Sequence, residues 1–201
     1  MKSLFKIRLF YFIFFCCFIN NIYALTAQDI IIIEGAKAII RNQEGKVFLD
    51  ISIDNDNSKI LGYSSKKCYN KYKRHITIFE AENCLHDEVT VIYNKLLKEQ
   101  LKYIRHYTNY IPIISLIYNV GENGFRYIKN NNKIIKQTEL YTCIKDGCNI
   151  PQKYKDLLKN GKLHGNIQDI LTKQHFKSFY RKNTKYSKGW KNRRIFESYL
   201  L

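Results

Sequence analysis

The sequence predicts a mainly β protein, an antiparallel β-sandwich or compact barrel with one or two short helices. Three observations carry that expectation. Sixteen Tyr and twelve Phe stand beside many Ile in 201 residues, and aromatic and β-branched side chains suit a pleated, half-buried surface. Short apolar runs alternate with Asn-, Asp- and Gly-rich stretches, the punctuation of successive strands. The rest of the composition is that of a globular domain: 45% hydrophobic and 25% charged, with only 2 Pro and 9 Gly. That balance excludes disordered, collagen-like and low-complexity chains.

Residues 1–24 read as a signal peptide. Lys2, Lys6 and Arg8 make a cationic start with no acid to offset it, and residues 9–19 form an apolar run that Asn20 and Asn21 end. Cleavage is expected after Ala24, with Ala27 as the next candidate. The run is short of the ~20 residues that span a bilayer, so no transmembrane helix should remain after cleavage. Cys16 and Cys17 sit inside the run without the residues that would mark a lipoprotein. Residues 25–201 are then a single exported domain, periplasmic or secreted.

The elements of that domain follow in order. Residues 29–34 and 36–41 are read as strands, then 47–53 after a turn at 42–45, then 59–63 after a polar loop at 54–58. Asp54 and Asp56 in that loop lack the Gly and distal Glu of a calcium loop, so it is a plain turn. Residues 75–79 and 89–93 are further strands, and 96–104 fit helix and strand equally. Residues 111–118 are an apolar strand with Pro112 near its start, where a missing donor is tolerated. Residues 125–128 lie between turns at 121–124 and 130–132, and 134–143 form the next strand. One helix is well signalled: Asn149 caps it, Pro151 opens it, Tyr154, Leu157 and Leu158 share a face, and Gly161 stops it. A second short helix is expected at 168–173, with 176–180 as a strand closing the sheet.

Beyond the signal four cysteines remain, Cys68, Cys84, Cys143 and Cys148. An even number in an exported chain reads as disulfides, with three pairings open. Local pairing is preferred, because Asp146-Gly147 offers a hairpin turn between Cys143 and Cys148. Cys68 and Cys84 then close a second loop. The competing four-thiolate metal site fits poorly, since these spacings are unlike those of zinc sites. No cofactor is expected.

Removing the three signal cations leaves 31 basic residues against 17 acidic ones, about +14. Much of the excess lies in a segment at about 173–194, which contains no Asp or Glu. Lys177, Arg181, Lys182, Lys185, Lys188, Lys191, Arg193 and Arg194, interleaved with aromatic residues, are candidates for binding an acidic protein, a glycan or an anionic lipid surface. An exported chain has little access to nucleic acid, and none is expected as a partner. The same lysines would also accumulate under AT-rich codon bias. The oligomeric state is not legible.

No nucleophile elbow, phosphate loop or zinc-protease motif is present. The five histidines, His75, His86, His106, His164 and His175, are scattered, and His86-Asp87-Glu88 reads as a solvated loop. The chain is therefore read as non-enzymatic.

Two stretches carry family resemblances. Residues 121–194 combine a strand at 124–128, Cys143-x4-Cys148 with Gly147 before the second Cys, a helix ending in residues 157–162, and Ser187-Lys188-Gly189-Trp190. With Cys68 and Cys84 as an earlier pair, this resembles the invasion-associated locus B family. No Trp precedes Cys68, and Lys188 and Trp190 replace the family's apolar pair around Gly189. The resemblance implies an exported, non-enzymatic protein acting at the cell envelope or host interface.

Residues 30–65, above all 47–53 and 60–65, resemble the opening of periplasmic copper chaperones with a cupredoxin-like sandwich. That alternative implies Cu(I) held by His and Met, since soft thioethers suit a soft ion. The only Met is Met1, so the site would be lost or rebuilt from His75, His86 or His106 with reduced thiols.

Overall fold

The computed structural model describes residues 25–54, 56–104, 106–130, 133–162, 165–179 and 187–201. The predicted signal peptide, with Cys16 and Cys17, lies outside the described residues, as do His164, Arg181, Lys182 and Lys185. The chain separates into two units, residues 1–30 and 31–201. In the described part of the first, Thr26 Oγ1 accepts from the Asp29 amide at 3.2 Å and Asp29 Oδ2 accepts from the Thr26 amide at 2.8 Å. This reciprocal pattern is a capping box that starts a helix.

The protein is mainly helical, which overturns the predicted β-sandwich or barrel. Among the described residues there are nine α-helices, and the sheets are two separate antiparallel hairpins. The order is α1 (Ala27–Glu44), β1 (Phe48–Ile53), β2 (Lys59–Gly62), α2 (Lys66–Tyr72), α3 (Ile78–Lys98), α4 (Tyr110–Val120), α5 (Glu122–Arg126), β3 (Tyr127–Asn130), β4 (Lys133–Gln137), α6 (Glu139–Asp146), α7 (Gln152–Lys159), α8 (Ile167–Ser178) and α9 (Ser187–Ser198).

Each misread strand has a physical reason. Residues 29–41 belong to α1, where Ile32, Ile33, Ala36 and Ile40 are buried; that spacing follows the 3.6-residue helical period rather than alternation. The predicted strands at 75–79 and 89–93 fall at the start and in the body of α3. Thr77 caps this helix, its Oγ1 accepting from the Glu80 amide at 3.2 Å while Glu80 reaches back to the Thr77 amide at 2.9 Å. The helix then buries Ala81, Cys84, Leu85, Val89, Ile92, Tyr93 and Leu96 along one stripe. Residues 111–118 form α4, with Pro112 in the first turn, where its missing N–H had no helical partner to lose. An apolar run buried on several sides reads alike as strand or helix.

Two hairpins and one helix fall where the sequence expects them. β1 pairs with β2 through Ser52 opposite Ile60 and Ile53 opposite Lys59, closed by the Asp54 amide donating to Ser58 O at 2.8 Å. β3 pairs with β4, Tyr127 opposite Gln137. The predicted strand at 134–143 ends at Gln137, because Thr138 Oγ1 accepts from the Tyr141 amide at 3.2 Å and opens α6. The predicted strand at 176–180 begins inside α8. α7 lies between Pro151 and Gly161, whose φ of +65° suits a glycine stop, but Pro151 rather than the expected Asn149 stands at the capping position, with no side-chain cap bond.

The main core joins residues of α1, α3, α4 and α6 with Phe125 and Phe176. A smaller core under β2 holds Leu61, Cys68, Ile76, Ala81 and Cys84. Residues 30–65 are therefore most of α1 and a hairpin, not the opening of a cupredoxin-like sandwich. Likewise Gly124 and Phe125, read as the start of a strand, lie in α5. Among the described residues no helix is long and apolar enough to cross a membrane.

Candidate functional site

Cys68 and Cys84 form a disulfide between α2 and α3, their Cα atoms 5.5 Å apart. Ser65 sets the first helix: its Oγ accepts from the Cys68 amide at 2.9 Å and donates to the Glu88 carboxylate. A cavity of about 160 Å³ opens beside this bridge, lined by Lys67, Lys71, Asp87, Glu88 and Val91. Burial pushes the Glu88 carboxyl above its ordinary range, against the pull of Ser65 and of Lys67, whose Nζ lies 4.0 Å away. The sulfurs themselves are buried. Glu88, expected in a solvated His86-Asp87-Glu88 loop, thus lies midway along α3 and is largely hidden.

Cys143 and Cys148 also meet as a pair, with Cα atoms 4.0 Å apart. No hairpin brings them together. Cys143 is in the last turn of α6, and Gly147, at φ +104°, turns the chain back so that Cys148 returns over the helix end. A Cβ on Gly147 would stand 3.1 Å from the Tyr103 ring, so the tight contact adds to the conformational preference for glycine there.

α8 covers this pair with Gln168, Thr172 and His175, which share one helical face at i, i+4 and i+7. Gln168 clamps the turn with both ends of its amide: Nε2 donates to Cys143 O at 2.7 Å and Oε1 accepts from the Cys148 amide at 2.8 Å. Thr172 Oγ1 lies 3.3 Å from Cys143 Sγ and 3.7 Å from Cys148 Sγ. One ligand atom of His175 lies within 4.8 Å of both sulfurs, and the ring is held by Glu139, whose Oε2 is 3.3 Å from Nδ1. Two sulfurs and an imidazole form the one group of three metal-ligating residue types found this close together among the described residues.

The candidate copper histidines are elsewhere. His75 Nδ1 faces Asp50 at 2.8 Å on the surface, His106 is exposed and His86 is half-buried, and none joins such a group. His175 escaped the sequence reading because 27 residues separate it from Cys148 and only the fold of α8 over α6 removes that distance.

The basic segment divides in two. Lys177, Lys188 and Lys191 are exposed, Lys177 standing over the Tyr199 ring at 5.3 Å. Arg193 and Arg194 turn inward instead. Arg193 pairs with Glu44 at 3.0 Å and Glu197 at 3.4 Å. Arg194 is fully buried against Phe176 and Glu197, and desolvation lowers its pKa to about 10. Ser115 on α4 completes this seam, donating to Glu197 at 2.6 Å, with Gln43 Oε1 3.1 Å from its hydroxyl. Arg193 and Arg194 thus dock α9 on the core rather than facing an acidic partner. No family model matches the chain, and no curated protein matches it.

Proposed function

We propose that this protein is exported and acts by binding rather than by catalysis, its fold tied by two local disulfides and its cationic face turned to an acidic partner at the cell envelope. The observation that carries the reading is the cysteine usage. Each of the four cysteines beyond the amino-terminal segment sits beside a partner close in sequence, the habit of chains that mature in an oxidising compartment. The binding face is Lys177, Lys188 and Lys191, with Arg181, Lys182 and Lys185 between them in sequence and Arg193 and Arg194 excluded by their internal ion pairs. The cysteine spacing and the Gly189-Trp190 pair behind the resemblance to invasion-associated proteins remain in keeping with this role, although the strand expected at 124–128 does not.

The test has two parts. Non-reducing peptide mapping of the exported protein should find a mature start near Leu25 and the two local bridges. Flotation with vesicles containing anionic lipid should show binding that weakens steeply between low and high salt. It should also fall in K177E/K188E/K191E. Free thiols on the exported chain would remove the premise, and salt-insensitive binding would remove the cationic face as its cause.

A further inference from the structure

We propose that the dithiol form of Cys143 and Cys148, together with His175, is a binding site for one thiophilic d10 metal ion, Zn²⁺ or Cu⁺. Three donors of the right chemistry converge there: two cysteine sulfurs and an imidazole, all within 4.8 Å. Thiolate and imidazole are the ligands these ions favour. The site is also pre-formed independently of the S–S bond. Gln168 holds the backbone on both sides of the turn, at Cys143 O and at the Cys148 amide, so the two sulfurs stay together when they carry protons. They then need only rotate apart to the ~3.8 Å that two Zn–S bonds of about 2.3 Å subtend at a tetrahedral angle.

The surroundings fit an ion as well as a bridge. Gln168 Nε2 is 3.6 Å from Cys143 Sγ, a position from which its amide donates to a thiolate, and Thr172 Oγ1, whose hydroxyl donates to Gln168 O at 2.8 Å, lies within 3.7 Å of both sulfurs. Glu139 braces His175 as second-shell carboxylates brace metal-ligating histidines. Cys143 is buried while Cys148 and His175 are half-exposed, giving an ion a route in and leaving one coordination position toward solvent. Binding is an exchange of two thiol protons for the ion, with no change in oxidation state: two S–H bonds break, two S–metal bonds and one N–metal bond form, and two protons leave. The chain is synthesised with thiols, so the step requires no added reductant. Oxidation to the disulfide removes both sulfur ligands and closes the site.

The probe is the metal alone, in two arms. Mature protein reduced with a phosphine is titrated with Zn²⁺ against a chromogenic chelator and, anaerobically, with Cu⁺ against a Cu⁺ chelator. One equivalent should bind in the arm the site prefers, and the oxidised protein should bind none. Cys148→Ser and His175→Ala should each weaken binding at least about tenfold, with the helical circular dichroism unchanged. Co²⁺ should give sulfur-to-metal charge transfer that Cys148→Ser diminishes. Because reduction also opens Cys68–Cys84, melting is the second measurement: one equivalent of the preferred ion should raise the melting temperature of the reduced wild type but not of His175→Ala. Binding that survives both substitutions would overturn the proposal. So would a reduced chain that neither binds nor is stabilised by either ion.

Discussion

Arg194 Nη1 and Glu197 Oε2 lie 2.8 Å apart, on residues that are both fully withdrawn from solvent. They are close but not aligned: neither atom completes a hydrogen bond, and Arg194 Nε also lacks a partner. Burial of two charges is costly, and their attraction offsets it only while both are present. The pair sits where the most basic segment of the chain meets α4, with Asn119 accepting from Arg194 Nη2 at 3.4 Å.

Removing one partner should therefore be far worse than removing both. Arg194→Met should destabilise the protein by about 3–5 kcal/mol, leaving Glu197 buried and short of a countercharge. R194M/E197L should recover most of that loss. Urea melts of the wild type, the single variant and the double variant measure it. A double variant as unstable as the single one would show that the docking of α9 depends on the ions themselves.

The two cysteine pairs should differ in what they contribute. Loop-closure entropy gives about 2 kcal/mol for a ring as short as that of Cys143 and Cys148, and about 3 kcal/mol for the longer one closed by Cys68 and Cys84. Packing widens the gap, because Cys68 and Cys84 lie in the small core with Leu61, Ile76 and Ala81. The turn at Cys143 also keeps its Gln168 clamp without the bridge. C68A/C84A should thus melt well below C143S/C148S. The reverse order would mean that the turn, rather than the small core, limits stability.

What was legible in the sequence was local chemistry. The Asp54–Ser58 turn and the Pro151 and Gly161 boundaries each depend on a few adjacent residues, and each is where the sequence puts it. The fold class was not, because the strand preference of Ile and Tyr is weaker than the burial that decides where they sit. Ile costs only a fraction of a kcal/mol in a helix, which burial of Ile32, Ile33 and Ile40 outweighs. The capping boxes at Thr26 and Thr77 were the available signal for α1 and α3. Read first, they argue for helices before any apolar run is counted. The Cys143, Cys148 and His175 cluster had no such local mark, and neither did the inward turn of Arg194, since both depend on packing between distant helices.

Glu88 should make the protein less stable as pH rises from acid to neutral. Burial raises its folded-state pKa, helped by the neighbouring Asp87 charge and opposed by Ser65 and Lys67. The unfolded chain gives up this proton near pH 4.3, while the folded chain keeps it to higher pH. Between those two values the folded state binds more protons, so stability falls with rising pH. The loss is complete once pH passes the folded pKa. Glu88→Gln keeps an oxygen to accept from Ser65 Oγ and carries no charge to desolvate. Its melting temperature should match the wild type near pH 4 and exceed it by a margin that grows until pH passes the folded pKa and is constant above it, up to pH 8. Parallel profiles for the two proteins across that range would mean that the folded carboxylate ionises at its ordinary pH. The cavity above Cys68–Cys84 would then be open enough to hydrate it.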